Sequence, residues 1–411
     1  MRCGLLGETL GHSFSKEIHE KLGRYEYELM EVPRSGLDAF MTARDFDGIN
    51  VTIPYKQAVI PYLSGMSGRA AAIGAVNTIV NRCGALWGDN TDFGGLEALI
   101  RRMGLDLNGK TVLIAGTGGT SRTAAAVAKA LGAAQILRMS RSGRDGALTY
   151  EAAYEAHGGA EILIHTTPAG MYPDVAGCAV DLERLPKLEG VVDVVYNPLT
   201  TRLVRQARAR GIPAENGLYM LAAQAVLAAE QFTGAPFPAG TTEDIYRALS
   251  FAKRSIVLTG MPGSGKSTLG ALLAERLGRT LIDTDAEIIK RAGMPITEIF
   301  RTRGETAFRD LESAVIRDVS LRSGAVIATG GGAVLRRENV DALKQNGTLV
   351  FLDRPLAALL PTDDRPLADD ADKLKKLYAA RYPVYTAAAD VTVAVTGSPE
   401  DTMNAILECL Q

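Results

Sequence analysis

The sequence predicts an α/β protein in which buried parallel strands alternate with helices. Short apolar runs such as Val112–Ala115 and Val191–Val195 are separated by stretches with helical character. Two glycine-rich turns, Gly116–Arg122 and Gly260–Ser267, each connect an apolar run to a helix. The chain has 411 residues, and because domains average roughly 150 residues we expect two or three of them.

Composition and charge narrow the class of function. The net charge is −2 and 46% of the residues are apolar, so each domain can bury a core and bulk charge does not recruit a nucleic acid. The four cysteines are scattered without a C-x-x-C pair, which predicts reduced thiols. The first residues lack the apolar run of a signal peptide, and no run is long enough to span a bilayer. We expect a cytoplasmic protein with small-molecule partners, no nucleic acid and no membrane, and leave homo-oligomerisation open.

The first segment, to about Leu99, is predicted to alternate strands and helices. The expected elements are strands at Arg2–Leu6, Tyr27–Glu31 and Gly48–Thr52, and helices at Lys16–Gly23 and Leu37–Ala43. Polar side chains gather in the loops, in four clusters that contain Ser13 with Ser15, Lys56, Asn77 and Asp92. Single residues of this kind are usually solvated or cap a helix. Four clusters ahead of a glycine-rich turn instead favour a substrate cleft, with Lys56 and Asp92 as a proton donor or relay.

The second segment is predicted to bind a dinucleotide. Its turn contains Gly116, Gly118 and Gly119 between a strand and an alanine-rich helix, which is the setting of a dinucleotide fold. Ser121 replaces the third glycine of the full motif, so an ordinary glycine turn stays an alternative. The next strand ends in Ser140 and Arg141, with Arg144 close behind; the strands Glu161–His165 and Val191–Val195 follow.

The arginines decide which dinucleotide is expected. An NAD site needs a carboxylate at the end of the second strand for the ribose hydroxyl, whereas arginine there suits a 2′-phosphate. Arg141 and Arg144 stand at this position, and a solvated turn is the alternative for both. The sequence therefore favours NADP.

The third segment contains a complete phosphate-binding loop. Gly260-Met-Pro-Gly-Ser-Gly-Lys-Ser267 follows the apolar run Ser255–Thr259 and begins a helix at Thr268. Gly263 and Gly265 let backbone N–H groups converge on phosphate oxygens. Lys266 is expected to reach the β- and γ-phosphates, and Ser267 to lie on Mg²⁺. The segment is therefore predicted to bind ATP with Mg²⁺.

Two carboxylates follow the second strand of this segment. Asp283 and Asp285 share one face of an emerging strand, so one could support Mg²⁺ while the other accepts a proton from a substrate hydroxyl. The alternative for Asp285 is a helix cap. Another strand ends in Gly330, Gly331 and Gly332, which allow a ligand to approach the backbone closely.

Seven motifs together resemble the shikimate dehydrogenase family, in that family's order and over residues 1 to about 248. They are His12-Ser-Phe-Ser15, Asn50-Val-Thr-Ile-Pro-Tyr-Lys56, Gly74-Ala-Val-Asn-Thr78, Gly88-Asp-Asn-Thr-Asp92, Gly116–Arg122, Thr167-Pro-Ala-Gly-Met171 and Asp193–Thr200. The resemblance implies NADPH-dependent reduction of 3-dehydroshikimate to shikimate, with Lys56 and Asp92 as the catalytic pair. It also implies residues that bind substrate, with Asp92 among them: Ser13, Ser15, Thr52, Asn77, Gln224 and, nearby, Tyr196.

The same resemblance implies that helix Gly217–Thr233 returns to pack on the first segment, with Gly217 at the cofactor. The chain departs from the family in three places. Lys16 replaces a usual proline, Ser140-Arg-Ser replaces Asn-Arg-Thr, and His165-Thr-Thr replaces Asn-Ala-Thr. We interpret His165 as a structural loop residue and not as a catalyst.

The third segment resembles shikimate kinase over about 254 to 411. The motifs are Gly260–Ser267, Asp283-Thr-Asp285, Phe308-Arg-Asp-Leu-Glu312, Gly330–Gly332, Arg365-Pro-Leu367 and Arg381-Tyr-Pro-Val-Tyr385. The resemblance implies that Asp285 contacts the reacting hydroxyl and that Asp283 assists Mg²⁺. Arg309 and Arg381 would clamp a substrate carboxylate, while Gly331 and Gly332 meet the ring hydroxyls. Arg365, on a short lid, would act with Lys266 on the transferring phosphoryl group and bind the nucleotide.

The combined prediction is a bifunctional enzyme of the shikimate pathway, the route to chorismate and the aromatic amino acids. Its domains are a substrate domain of residues 1–99 and 217–248, a Rossmann-like NADP domain of residues 100–216, and a P-loop kinase domain of residues 254–411 with a parallel sheet. The main alternative is a quinate/shikimate dehydrogenase that uses NAD, fused to another small-molecule kinase such as a gluconate or nucleoside-monophosphate kinase. A nucleotide-sensing regulator without catalysis is a further alternative, which intact Lys56, Asp92, Lys266 and Asp285 argue against.

Overall fold

The structure is a computed structural model that describes residues 1–11, 13–359 and 371–410. The chain divides into two compact units. The first consists of Met1–Asn197 and Thr201–Leu249, and the second of Pro198–Thr200 and Ser250–Gln411. Three sheets are present among the described residues, two in the first unit and one in the second. The finer division into three domains stays a prediction.

The first sheet begins the chain. Its strands and the accompanying helices are β1 (Arg2–Gly7), α1 (Ser15–Leu22), β2 (Glu26–Glu31), α2 (Leu37–Ala43), β3 (Gly48–Val51), β4 (Gly65–Met66), α3 (Gly68–Ile73), β5 (Thr78–Arg82), β6 (Ala85–Asp89) and α4 (Thr91–Arg102). The strand order is β2-β1-β3-β5-β6-β4. β1 pairs in parallel with β2 and β3, whereas β5 runs antiparallel to both β3 and β6.

The β5–β6 hairpin departs from the predicted strand–helix alternation. Cys83 and Gly84 form its tight turn with φ of 53° and 88°, because a two-residue hairpin needs positive φ at its central residues. Thr78 and Asp89 are paired across the hairpin. The loops that carry Asn77 and Asn90 are therefore brought side by side.

The second sheet is entirely parallel and lies in the same unit. Its elements are β7 (Thr111–Ala115), α5 (Gly119–Ala130), β8 (Gln135–Ser140), β9 (Leu148–Thr149), α6 (Tyr150–His157), β10 (Ile162–His165), β11 (Gly190–Asp193), α7 (Arg202–Ala209) and β12 (Ala214–Glu215). The order β12-β11-β10-β7-β8-β9 reverses direction at β7. Open parallel sheets bind ligands at this kind of switch point, outside the carboxyl ends of the strands.

A long helix then returns to the first sheet. α8 (Leu218–Thr233) packs on α4, and α9 (Thr241–Lys253) follows it. A Cβ added at Gly95 of α4 would lie 2.6 Å from the carbonyl oxygen of Met220, so glycine there allows the two helices to approach closely. A Cβ added at Gly94 would lie 2.5 Å from Cδ1 of Leu227, so this glycine too keeps the two helices close. The close packing holds Gln224 at a defined place beside α4.

The third sheet belongs to the second unit and is also parallel. Its elements are β13 (Ser255–Thr259), α10 (Lys266–Leu277), β14 (Leu281–Asp283), α11 (Thr284–Ala292), α12 (Ile296–Ser320), β15 (Val326–Ala328), α13 (Arg337–Asn346), β16 (Gly347–Asp353), α14 (Ala371–Ala388), β17 (Val391–Ala394) and α15 (Pro399–Leu410). The strand order is β14-β15-β13-β16-β17. β13 is central, and the phosphate loop leaves its carboxyl end.

The predicted α/β class with parallel sheets is confirmed. Short 3₁₀ turns complete the described elements, at Arg34–Gly36, Ile60–Tyr62, Leu182–Arg184, Ala333–Leu335 and Leu356–Ala358. The core of the second unit includes Val257, Phe351 and Tyr385, all almost fully buried. Of the helices that the structure describes, none combines the length and apolar character needed to cross a bilayer.

Candidate active sites

Lys56 and Asp92 meet in the first unit. The Nζ of Lys56 donates to Oδ2 of Asp92 at 2.5 Å, and the two side chains are only 17% and 10% exposed. Lys56 lies in the turn that follows β3, where its carbonyl accepts the N–H of Val76 at 2.7 Å. Asp92 lies in the first turn of α4. The two predicted catalytic residues are therefore brought together from separate elements.

Asn90 orients the start of α4. Its side-chain oxygen accepts the N–H of Phe93 at 3.2 Å and its amide donates to the carbonyl of Ala75 at 2.9 Å. An N-cap of this kind satisfies a backbone donor that the helix leaves unpaired. Because Asn90 is fully buried and bonded on both sides, it holds Asp92 towards Lys56.

Asn77 is the centre of a buried hydrogen-bond network. Its side-chain oxygen accepts the N–H of Thr91 at 2.7 Å, and its amide donates to Thr91 Oγ1 at 3.1 Å and to Gln224 Oε1 at 3.5 Å. Thr78 and Asn50 continue the network, since Asn50 donates to Thr78 Oγ1 at 3.3 Å. Two predicted substrate residues, Asn77 and Gln224, are thus placed together beside Asp92.

The two serines lie at the entrance to α1. Ser13 Oγ accepts the N–H of Ser15 at 3.2 Å, and Ser15 is buried as the first residue of the helix. Phe14 occupies the N-cap position without a side-chain cap bond, so the alternative that Ser15 caps α1 is wrong. The ring of Phe14 lies 5.2 Å from that of Tyr196. Tyr196 is therefore next to the serine segment.

Thr52 lies between β1 and the lysine turn. Its N–H donates to the carbonyl of Leu6 at 2.9 Å and its own carbonyl accepts the N–H of Tyr55 at 2.9 Å. These bonds attach the turn to the sheet, and Thr52 itself is half-buried.

The glycine-rich turn Gly116–Arg122 lies against Lys56, the predicted catalytic lysine. Gly116 has a φ of 125°, and Gly118 begins α5 without a side-chain cap. A Cβ added at Gly118 would meet nothing within 4 Å, and one added at Gly119 would lie 4.0 Å from Cδ of Lys56. Uncapped N–H groups at a helix start suit the phosphates of a dinucleotide. The turn can therefore hold a cofactor next to Lys56.

The remaining predicted cofactor residues have mixed surroundings. Ser140 Oγ accepts the N–H of Gly143 at 3.1 Å, while Arg141 and Arg144 are exposed and form no ion pair with another described residue. Two exposed, uncommitted guanidinium groups fit a 2′-phosphate. Ser121 is buried and donates to the carbonyl of Gly116 at 2.7 Å, so its hydroxyl holds the turn.

Gly217 has a packing reason to be glycine. A Cβ added there would lie 2.1 Å from the carbonyl oxygen of Val194, so any side chain would clash with the backbone after β11. The N–H of Gly217 donates to the carbonyl of Val195 at 3.1 Å. The position therefore fixes how α8 begins beside the second sheet.

His165 forms a buried pair with Asp193. Its Nδ1 lies 2.8 Å from Asp193 Oδ1 and its Nε2 lies 2.5 Å from Thr167 Oγ1. Asp193 Oδ2 also accepts the hydroxyl of Thr201 at 2.6 Å, and both members of the pair are almost fully buried. The network joins the loops that follow β10 and β11, one of which carries Tyr196.

The phosphate loop of the second unit has the expected shape. Gly260, Gly263 and Gly265 have φ of 151°, 80° and 96°, which only glycine adopts without strain. The Nζ of Lys266 donates to the carbonyls of Gly260 and Met261 at 3.0 and 2.9 Å. The lysine thus lies along the loop. Thr268 and Lys266 both line the cavity that is described below.

Asp283 and Asp285 have different surroundings. Asp283 caps α11, because its Oδ1 accepts the N–H groups of Asp285 and Ala286 at 2.9 and 3.2 Å. Its Oδ2 accepts the hydroxyl of Ser267 at 3.2 Å. The cap is therefore Asp283, and the alternative that Asp285 is the helix cap is wrong. Adjacent oxygens of Ser267 and Asp283 match the ligands that Mg²⁺ prefers.

The glycine triplet lies between Asp285 and two arginines. A Cβ added at Gly330 would lie 2.6 Å from Asp285 Oδ1, and one at Gly332 would lie 1.9 Å from Arg309 Nη1. Arg381 Nη1 donates to the carbonyl of Gly331 at 3.0 Å. Both arginines are 8% exposed. The predicted carboxylate clamp, glycine wall and proton acceptor are thus adjacent.

Arg309 is held by two glutamates. Its Nη1 donates to Glu312 Oε2 at 2.8 Å and its Nε donates to Glu305 Oε1 at 3.3 Å. Burial opposes the charge of Arg309, but the nearby carboxylates outweigh it and raise its pKa above the usual range. Burial also raises the pKa of Glu312, although Arg309 opposes that change. Burial likewise raises the pKa of Tyr385 to about 12, so its hydroxyl stays protonated and donates to Gly331.

The predicted nucleotide-binding and substrate-binding residues that the structure describes in the second unit line one cavity of about 720 Å³. Its wall includes the phosphate loop, both aspartates, the glycine triplet and both arginines. That volume is in the range of small-molecule sites. Arg365, the predicted lid residue, and His12 of the first motif lie outside the described residues.

Several contacts between buried polar residues were not predicted from the sequence. Asn50, Thr78 and Thr91 join the Asn77 network, and His165 with Asp193 joins two loops. One signal was present for Asn50, a polar residue within the buried strand β3, because buried polar side chains are almost always hydrogen-bonded. The partner of each residue could not be read from the sequence, since the bonds cross between elements.

The comparisons with known proteins match different families to the N-terminal and C-terminal parts of the chain. The family model for shikimate kinase matches residues 262–411, and the model for the shikimate dehydrogenase substrate binding domain matches residues 5–79. The shikimate dehydrogenase (NADP(+)) of Clostridium perfringens is 35% identical over 264 residues, which are 60% of this chain and 97% of that protein. The shikimate kinase of Caldicellulosiruptor bescii is 48% identical over 139 residues, which are 32% of this chain and 81% of that protein.

A solved structure gives the same result for the first unit. The shikimate 5-dehydrogenase of Thermus thermophilus, in complex with NADP(H) and shikimate, aligns with a TM-score of 0.54 at 33% identity. The alignment covers 60% of this chain and 99% of that one. The chain therefore belongs to the shikimate dehydrogenase family in its N-terminal part and to the shikimate kinase family in its C-terminal part.

Proposed function

We propose that this chain is a bifunctional enzyme that reduces 3-dehydroshikimate to shikimate with NADPH and then phosphorylates shikimate with MgATP. The observation that carries the proposal is the presence of both sites in one chain. Lys56 and Asp92 form a shielded pair beside a dinucleotide turn, and the phosphate loop and Asp285 line one cavity. The first product is the second substrate, which gives the fusion a chemical rationale.

In the first site the ammonium of Lys56 supplies the proton that the ketone oxygen needs. NADPH, when bound, supplies the hydride that adds to the carbonyl carbon. Asp92 keeps the ammonium of Lys56 oriented, because their contact is short and largely shielded from water. Asn77 and Gln224 would hold the ring hydroxyls, and Ser13 and Ser15 the carboxylate. General acid catalysis of this kind typically contributes about 10²- to 10⁴-fold.

The residues around β8 support NADP as the cofactor. Arg141 and Arg144 are exposed and form no ion pair with another described residue, so they can meet a 2′-phosphate without first breaking an ion pair. The dehydrogenase relative is named for NADP(+), and the Thermus thermophilus structure holds NADP(H) and shikimate. The uncapped start of α5 would receive the pyrophosphate.

In the second site Asp285 accepts the proton of the attacking hydroxyl. MgATP, when bound, supplies the phosphoryl group together with a cation that neutralises its charge. Lys266 is positioned at the phosphate loop, and Ser267 with Asp283 would hold Mg²⁺ through oxygen atoms. Arg309 and Arg381 favour a substrate that carries a carboxylate, because a guanidinium group binds a carboxylate through two parallel hydrogen bonds. Arg365 stays the predicted lid residue that would act on the phosphoryl group during its transfer.

The thiols support a cytoplasmic location. Cys3, Cys83, Cys178 and Cys409 are all free in the structure, and free thiols are usual where glutathione and thioredoxin keep cysteines reduced. Fractionation of cells that produce the chain, followed by detection of both activities in the cytosolic fraction, tests this location.

Each half of the proposal can be tested alone with rival substrates. Purified chain should oxidise shikimate with NADP⁺ faster than quinate with NAD⁺, measured as kcat/KM from the nicotinamide absorbance. It should also phosphorylate shikimate in preference to gluconate or AMP, measured from ADP release. A preference for quinate with NAD⁺, or for gluconate or AMP, would replace the corresponding half with its rival.

A further inference from the structure

Arg354 lines the kinase cavity, yet it has no role in the function proposed above. It follows β16 directly, and its N–H donates to the carbonyl of Leu352 at 3.2 Å. A Cβ added at Gly260 would lie 2.9 Å from the carbonyl oxygen of Leu352. Arg354 therefore stands where the end of β16 meets the start of the phosphate loop.

The other cations of the cavity wall are already engaged. Among the described residues, the lining cations are Lys266, Arg309, Arg354 and Arg381. Lys266 donates to two carbonyls of the phosphate loop. The clamp arginines are bonded to glutamates and to a glycine carbonyl. In the part of the chain that the structure describes, the side chain of Arg354 has neither a hydrogen bond nor an ion pair.

The guanidinium of Arg354 needs an acceptor that the described chain does not supply. Its Nε is buried from solvent and has no partner, which is rare for a buried donor. Nearby acidic groups are committed elsewhere: Asp283 to Ser267 and the start of α11, and Asp353 to the hydroxyl of Tyr382 at 3.0 Å. An anionic ligand bound in the cavity would satisfy the guanidinium.

We propose that Arg354 binds the terminal phosphate of the nucleoside triphosphate, a role that rests on the proposed kinase function. A guanidinium presents a planar fork of donors that matches two oxygens of one phosphate group. The position beside the phosphate loop favours this anion over the substrate carboxylate, since the clamp arginines lie at the glycine triplet. Arg354 thereby adds a second fixed cation beside Lys266.

The contact predicts selectivity between two nucleotides. MgATP carries the terminal phosphate and MgADP lacks it. Loss of Arg354 should therefore weaken the binding of MgATP, while MgADP binds nearly as before. A lost charge-assisted hydrogen bond corresponds to about a tenfold increase in Kd. A purely structural role would weaken both nucleotides together.

The test is calorimetric titration of the full chain with MgATP and with MgADP, in saturating NADP⁺ so that the first unit takes up neither. Arg354→Met should raise the Kd for MgATP about tenfold and leave that for MgADP within about twofold. Arg337→Met, at an exposed arginine of α13 outside the cavity wall, is the matched control and should change neither. MgADP binding also reports that the second unit is folded.

Arg354→Gln keeps a planar polar head without the charge and should show the same selective loss, so that the test does not depend on one variant folding. Arg354→Lys, which keeps a point charge, should recover part of the MgATP affinity. Unchanged MgATP binding in the Met and Gln variants, or an equal loss for both nucleotides, would overturn the assignment. The titrations contain no acceptor, so a failure of shikimate as substrate would appear separately, in the phosphorylation assay.

Discussion

The Nζ of Lys56 lies 2.5 Å from Oδ2 of Asp92, although 36 positions separate them in the chain. The contact joins the turn after β3 to the first turn of α4. Both side chains are largely shielded from water, so the pair interacts more strongly than an exposed one would. The glycine-rich turn Gly116–Arg122 approaches the same lysine at Gly119, where an added Cβ would lie 4.0 Å from Cδ of Lys56. The predicted proton donor therefore lies beside the predicted cofactor site.

Replacing Lys56 by alanine should remove the reductase activity and spare the kinase. We expect kcat for 3-dehydroshikimate reduction to fall by about 10²- to 10⁴-fold, because the proton donor is lost, while shikimate phosphorylation stays within about twofold. Lys129→Ala, at an exposed lysine of α5, is the control. Parallel loss of both activities would instead mean that the two sites are not independent.

Replacing Asp285 by asparagine should have the opposite pattern. The amide cannot accept the hydroxyl proton, so kcat for phosphorylation should fall by about 10²- to 10⁴-fold, while MgATP binding measured by calorimetry persists. Asp310→Asn, at an exposed carboxylate of α12 that pairs with Arg336, should leave kcat unchanged because surface ion pairs contribute little. An Asp285→Asn enzyme with a normal kcat would remove this residue from the mechanism.

The choice between the two dinucleotides should depend on Arg141 and Arg144. A double replacement by serine removes the cations that would meet the 2′-phosphate, and we expect KM for NADPH to rise about 10- to 100-fold. KM for NADH, which lacks that phosphate, should change little. Steady-state kinetics with both cofactors measure the ratio. If the double variant keeps its preference for NADPH, the 2′-phosphate is bound elsewhere.

The buried His19 should make the first unit less stable in mild acid. Burial lowers the pKa of His19 to about 3, whereas an unfolded histidine takes up a proton near pH 6.5. The contribution of neutral His19 to the free energy of unfolding is therefore fully present above about pH 6.5. It is lost progressively as the pH is lowered towards 3. The slope is up to about 1.4 kcal/mol per pH unit.

The chain offers a selective probe for this effect. Its single tryptophan, Trp87, lies in β6 of the first unit, so tryptophan fluorescence during urea unfolding reports that unit. His19→Phe keeps a ring to stack on Tyr27, whose centroid is 3.9 Å away, and cannot be protonated. The difference in unfolding free energy between pH 8 and pH 5.5 should be smaller in the variant. An equal difference in both proteins would mean that His19 is not buried in its neutral form.

Much of the fold was predictable because local signals agree with it. The apolar run before Gly116 and the one before Gly260 form β7 and β13, each followed by the predicted helix. The β5–β6 hairpin was not predictable in the same way, since its turn uses Cys83, an uncommon residue at positive φ. Its two strands have only five residues each, and β5 shows no regular alternation of buried and exposed positions.

The sites were predictable as residue types but not as contacts. Lys56, Asp92, Lys266 and Asp285 belong to motifs, and a motif names a residue without giving its partner. The bond between Asn77 and Gln224 joins residues 147 positions apart, and His165 meets Asp193 only because β10 and β11 are neighbours. The roles of all these residues stay predictions until the variants above are measured.

The coupled reaction tests the central claim most directly. Purified chain is supplied with 3-dehydroshikimate, NADPH and MgATP, and the products are identified by mass spectrometry. The account predicts shikimate 3-phosphate, with one NADPH oxidised and one ATP consumed for each molecule formed. Absence of shikimate 3-phosphate while both cofactors are in excess would contradict it.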